Sequence, residues 1–208
     1  MGTLLNRRRY MGGSSAPLPY DAEIEYLQST GTQYIDTGVD VNFSANILEQ
    51  ISTLAFSVTN VRQLNGTNGW GYWGTTNKNY FECPGTTTRT TVGTDFHSVD
   101  YIFSKSSNNP HTVMYIDDNK VVDKIPSGTL AGYEYRVFIF AIGGRDGAAA
   151  QIFCREKLKS YQILIDNVVV RDYIAVRVGQ VGYLYDNVSG QLFGNAGTGS
   201  FTLGPDKT

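Results

Sequence analysis

From Tyr20 onward the chain alternates apolar and polar residues with a period of two. Residues 97–104 place Val99, Tyr101 and Phe103 on one face and Ser98, Asp100 and Ile102 on the other. Residues 161–165 alternate in the same way, whereas residues 112–116 are apolar on both faces, as in a strand buried twice. Alternation of this kind is the mark of a pleated strand, whose successive side chains point to opposite faces. Roughly a dozen such runs recur at the spacing expected of a β-sandwich. Turn residues separate them: Asp117-Asp118-Asn119, Asp166-Asn167 and Ser189-Gly190 each stand between two strand-like runs. Asn, Asp and Gly tolerate the positive φ of tight hairpins. No segment keeps a 3.6-residue apolar period beyond a turn or two, so the expectation is an all-β, two-sheet antiparallel sandwich.

The first nineteen residues break the pattern. Residues 1–10 are short and basic, and residues 11–19 are a Gly/Ser/Pro linker, so the division expected is an arm and linker over 1–19 and one domain over 20–208. Leu4 and Leu5 offer an apolar anchor, Arg7, Arg8 and Arg9 can meet carboxylates on a partner, and Tyr10 ends the basic stretch. Such a segment is either a frayed terminus or an attachment arm that orders when something holds it. No apolar run follows the basic start, so no secretory signal is expected and synthesis is expected in a cytoplasm.

Composition narrows the function. The 208 residues carry 17 basic against 19 acidic side chains, a net charge of −2, which argues against an electrostatic grip on nucleic acid. Glycine at 23, tyrosine at 14 and phenylalanine at 10 suit many turns between aromatic-bearing strands. Cys83 and Cys154 are too few for a disulfide framework; two free thiols or a single bridge both fit. No cofactor is expected.

Residues 69–74 (GWGYWG) match the letters of a dinucleotide fingerprint, but Tyr72 and Trp73 fill positions meant for close backbone approach, and no helix pattern follows. The same stretch holds the densest aromatic cluster. Trp70, Tyr72, Trp73 and Tyr80, interleaved with Asn77, could stack on sugar rings and bond their hydroxyls, or could fill the space between two sheets. Glu23 and Glu25 are the only closely spaced acids in a strand pattern and read as surface charge rather than a glycosidase pair. His97 and His111 have no nucleophile elbow near them. Asp117 and Asp118 fit a hairpin turn, and less well a calcium loop. The expectation is a protein that is not an enzyme and has no resident metal.

Several separated motifs resemble laminin-G-like (concanavalin A-like) jelly rolls of gut bacteria and their phages. They are residues 26–38 (YLQSTGTQYIDTG), 140–147 (FAIGGRDG), 157–167 (KLKSYQILIDN), 170–177 (VRDYIAVR), 182–187 (GYLYDN) and 195–201 (NAGTGSF). Residues 4–13 (LLNRRRYMGG) are similar to leaders of small phage structural proteins. The resemblance implies a jelly roll whose first and last strands are neighbours, with Tyr34-Ile35 beside Phe201–Leu203, and Gly197 and Gly199 at positive φ in the closing turn. It also implies a virion protein, a capsid head fibre or decoration subunit held by its arm to other virion proteins. A homo-oligomer, with a trimer as the form suited to fibres, and adhesion to host glycans would go with it. The alternative is a tail-associated, lectin-like receptor-binding adhesin; a glycoside hydrolase stands third. Arg171 and Asp172 interrupt an apolar strand and should meet polar partners such as Asp36, since unpaired buried charge is costly.

Overall fold

The computed structural model describes residues 17–42, 53–59, 71–75, 78–83, 86–90, 98–106, 109–124, 134–143, 149–151, 153, 155 and 157–208. All the regular structure among them is β-strand, and every strand pair is antiparallel. The largest sheet has nine strands. Across it run Asn119–Lys124, Asn109–Ile116, Ser98–Ser106, Thr53–Thr59, Ser160–Ile165, Val168–Val178, Val181–Asp186 and Gln191–Phe193, with Ala22–Glu23 added beside Val168–Val178. Smaller sheets pair Glu134–Ile139 with Ile35–Asn42, Ile142–Gly143 with Ala150–Gln151, and Lys157–Leu158 with Leu27–Gln28 and then Thr202–Leu203. Gly71–Thr75, Lys78–Cys83 and Thr86–Thr90 form a separate three-stranded sheet.

The alternation read from the sequence becomes two faces. On the large sheet Tyr161, Ile163, Tyr173, Ala175 and Leu184 are fully buried. On Ile35–Asn42 the buried residues are Ile35, Thr37 and Val39, with Asp36, Gly38 and Asp40 exposed between them. Its partner Glu134–Ile139 is buried at Val137, Phe138 and Ile139 in succession, so that end of the strand is covered on both faces. Thr37 joins the layers. Its hydroxyl donates to the Val137 carbonyl at 2.7 Å, and its own carbonyl accepts from Arg171 Nε at 3.1 Å and the Tyr173 hydroxyl at 3.3 Å. Burying these polar groups is tolerable because each has a partner. Aromatic edges complete the interior, with Tyr173 against Phe193 at 5.1 Å and Phe140 against Phe201 at 5.5 Å. Phe140 holds a φ of 68°, turning the chain out of Glu134–Ile139 while its ring stays buried.

The hairpins follow their turn chemistry, with one difference. Asp117 and Asp118 (φ 48° and 64°) make a two-residue turn, leaving Asn119 already paired with Ile116. Asp166 and Asn167 (φ 51° and 63°) do the same between Ile165 and Val168. The connection at Ser189-Gly190 is longer: Asp186 pairs with Gln191, so four residues form the loop, and Gly190 alone among them has positive φ. Residues 112–116 also differ from expectation. Val113 and Tyr115 are half-buried, so one face of Asn109–Ile116 retains solvent contact.

The two ends of the domain are neighbours, though in a different register from the one expected. Leu203 pairs with Leu27 and Thr202 with Gln28, while the Ala196 N–H donates to the Tyr34 carbonyl at 2.9 Å. The closing turn needs its glycines for two different reasons. Gly199 has a φ of 73°, whereas a Cβ on Gly197 would lie 2.1 Å from the Thr32 carbonyl oxygen.

Candidate functional site

Of the residues singled out from the sequence, Leu4, Leu5, Arg7, Arg8, Arg9, Tyr10, Trp70, Asn77, His97 and Cys154 lie outside the described residues. For Tyr72, Trp73 and Tyr80 the backbone is described. Tyr72 is in register with Phe81, and Trp73 with Tyr80, in a hairpin of strands. A strand pair there is incompatible with the strand-turn-helix that a dinucleotide loop requires. Cys83 ends its strand opposite Thr86, and His111 stands opposite Ser104. Glu23 meets Lys207 at 3.4 Å, and Glu25 is exposed beside residues 205–207. Asp117 and Asp118 are exposed in their tight turn. No group of three or more His, Cys, Asp or Glu side chains gathers among the described residues in a way that could hold a metal.

Two buried polar clusters are structural. Gln33, 2% exposed, takes three donors on Oε1: the Thr30 N–H at 2.7 Å and the hydroxyls of Thr30 and Ser29 at 3.1 and 3.2 Å. Its Nε2 donates to the Thr32 hydroxyl at 2.9 Å and the Thr198 carbonyl at 3.0 Å. Thr32 Oγ1 also donates to Thr198, and the Thr198 N–H returns a bond to Thr32. The QSTGTQY and NAGTG segments are thus locked together by one buried amide, which serves the fold and leaves no group poised for chemistry.

Asp186 is wholly buried on the other side of the interior. Its carboxylate receives the N–H groups of Asp172 (2.8 Å), Val188 (3.1 Å) and Ser189 (3.2 Å) and the Ser189 hydroxyl at 2.7 Å. Arg171 Nε stands 3.8 Å away, within ion-pair range. The partner of Arg171 is therefore Asp186 and the Thr37 carbonyl, not Asp36, which faces Arg136 at 3.5 Å. A carboxylate so fully occupied by donors is an anchor for the 187–190 loop and has no lone pair left for a general base.

A third cluster clamps the root of the N-terminal segment. The Gly179 N–H donates to Asp21 Oδ2 at 2.6 Å, and Ala22 pairs with Arg177. Arg177 grips Asp206 through two bonds, Nε at 2.7 Å and the second nitrogen at 2.6 Å. That bidentate contact holds the Asp206 carboxyl below its ordinary range and raises the guanidinium. Both chain ends therefore leave the domain beside the Gly179 turn.

The remaining feature is the face of the large sheet turned away from Tyr161, Tyr173 and Leu184. Near Ile174 and Val176 that face is covered, since both are buried. One position further along the strands it is half-exposed and polar. Asp172 stands opposite Gln162, then Ser57, Asp100 and Tyr115 follow in strict cross-strand register. On the outer side of Asp172, Asn187 completes the row. Gln162 Nε2 donates to one Asp172 oxygen at 2.8 Å and Asn187 Nδ2 to the other at 3.0 Å. Alternation alone assigns Asp100 and Gln162 to the face opposite their apolar neighbours. That they align is set by strand register, and Ser98–Ser106 pairs with Thr53–Thr59, a strand some forty residues earlier. The arrangement can offer hydrogen bonds over an extended surface; it supplies no nucleophile–base pair.

No helix among the described residues is long and apolar enough to cross a membrane. The chain matches no protein-family model and no curated protein.

Proposed function

We propose that this chain is a surface structural protein of a bacteriophage virion, a capsid head fibre or decoration subunit. In this reading the domain is a two-sheet jelly roll of the concanavalin A-like kind, and residues 1–19 are its attachment arm. The observation that carries it is the clamp at residues 21–23. An arm rooted there starts beside Gly179 and the C-terminal residues Asp206 and Lys207. The antiparallel sandwich supports it, as do buried polar groups committed to holding the fold. Adhesion to host glycans would then fall to the segment with Trp70, Tyr72, Trp73, Asn77 and Tyr80. Several weak arms on one oligomer would act together, each later contact being made at high effective concentration.

The test removes residues 1–19 and follows incorporation into particles. The shortened protein is expected to keep the melting temperature of the full chain and to be absent from purified particles. A shortened protein that still joins the particle overturns the attachment role. Gold-labelled antibody on intact particles should mark the head; label confined to the tail would favour the receptor-binding adhesin instead.

A further inference from the structure

We propose that residues 21–26, with the strands on either side of them, form a direction-dependent mechanical anchor, a role that rests on the attachment reading above. The anchor holds against a pull along its own strand and yields to a pull that parts the two chain ends.

The segment is bonded on both sides. Ala22–Glu23 runs antiparallel to Val168–Val178, with Ala22 opposite Arg177 and Glu23 opposite Val176. The Asp21 and Ile24 N–H groups donate to the Arg177 and Ala175 carbonyls at 2.9 and 3.0 Å. On the other side, the Glu25 N–H donates to the Pro205 carbonyl at 2.8 Å. The Lys207 and Gly204 N–H groups donate to the Glu23 and Tyr26 carbonyls, each at 2.9 Å. Ile24, between the two partners, is fully buried. Arg177 on one flank grips Asp206 on the other through bonds of 2.7 and 2.6 Å, so a charged, bidentate strap closes over the strand between them. Terminal residues of a domain fray unless they are tied down in this manner.

Direction decides how these bonds share a load. Tyr20 leaves the sheet level with the Gly179 turn, at one end of Val168–Val178, and the exposed Val168 stands at the other end. Tension between Tyr20 and Val168 therefore runs along the strand axes. Ladder hydrogen bonds lie across the strands, so this tension shears them together, and the strap with them. The C-terminal residues run the opposite way, with Lys207 beside Glu23. Tension between Tyr20 and Thr208 opens that ladder from its end, first at Lys207, then at Pro205, then at Gly204. Forced unfolding follows the barrier to rupture rather than the total stability, so the two directions should differ although the bonds are the same.

Optical tweezers on the full chain test this, with one handle placed before Met1. The second handle is either an azide-bearing residue in place of Val168 or a tag after Thr208; azide coupling leaves Cys83 and Cys154 untouched. The rupture force should be severalfold higher with the handle at position 168. Arg177→Met removes the strap, keeps an unbranched stem and should lower that force. Thr32→Val weakens a lock outside the loaded ladder and should leave it unchanged, which separates the anchor from a general loss of stability. Equal forces in the two directions, a higher force with the tag after Thr208, or a force at 168 indifferent to Arg177→Met overturns the proposal. None of these outcomes bears on joining the particle, which the arm deletion reads separately, and a failed deletion test would leave the two rupture forces as they are.

Discussion

Gln33 shows how much one side chain can hold. Its amide satisfies five partners across two segments more than 160 residues apart in sequence. Gln33→Ala strands buried donors and opens a cavity, so a loss of about 2–4 kcal/mol is expected in urea unfolding. Thr32→Val, which removes one hydroxyl from the same lock, should cost about 1 kcal/mol. Asp186→Ala leaves three backbone N–H groups without their acceptor and Arg171 without its counter-charge, and should cost about 3–5 kcal/mol. The buried tyrosines carry a pH dependence. Burial pushes the phenols of Tyr161 and Tyr173 well above their ordinary value of 10.0. The unfolded chain can ionise them near pH 10 while the folded chain cannot, so their contribution is intact below that pH and is lost as pH rises past it. Stability should fall steeply above pH 10, and less steeply in Tyr161→Phe; alkaline unfolding followed by fluorescence checks both. The Arg177–Asp206 contact acts at the opposite limit. The Asp206 carboxyl is held below its ordinary 3.8, so its contribution is present above that value and disappears as pH drops through the folded-state value.

Turns and close approaches decide the elements. The Asp166-Asn167 hairpin needs two residues in the left-handed region, which Asn and Asp enter at little cost and β-branched residues do not. Asn167→Val is expected to destabilise by about 1–3 kcal/mol, and Asn167→Gly to be neutral or better. Gly182 is constrained by packing instead. It lies in the strand Val181–Asp186 without positive φ, and a Cβ there would stand 2.3 Å from Leu27 and 2.6 Å from Leu203. Gly182→Ala should therefore disturb the junction of the large sheet with the small sheet formed by the two chain ends. Loss of near-ultraviolet dichroism ahead of far-ultraviolet change would register it.

For the whole molecule, the C-terminal residues close the domain. Phe201 packs on Phe140, Leu203 pairs with Leu27, Asp206 bridges Ile24 and grips Arg177, and Lys207 meets Glu23. Contacts between sequence-distant segments form late because loop closure must precede them. Removing residues 201–208 should leave a chain with strand content but no cooperative melting transition, seen by calorimetry; removing residues 1–16 should leave the transition where it is.

The strands, their alternation and the hairpin turns at Asp117-Asp118 and Asp166-Asn167 were legible in the sequence because each rests on local chemistry or on a repeated pattern of side-chain type, whereas the adjacency of the chain ends was implied only by the resemblance. Register was not legible. Tyr34 was expected beside Phe201–Leu203 and meets Ala196 instead, Arg171 meets Asp186 rather than Asp36, and the outward polar row crosses strands drawn from residues 57 to 187. A period of two says which face a residue occupies and nothing about which distant residue stands opposite. That choice belongs to the packing of whole sheets, where a shift of one residue would turn every buried side chain outward.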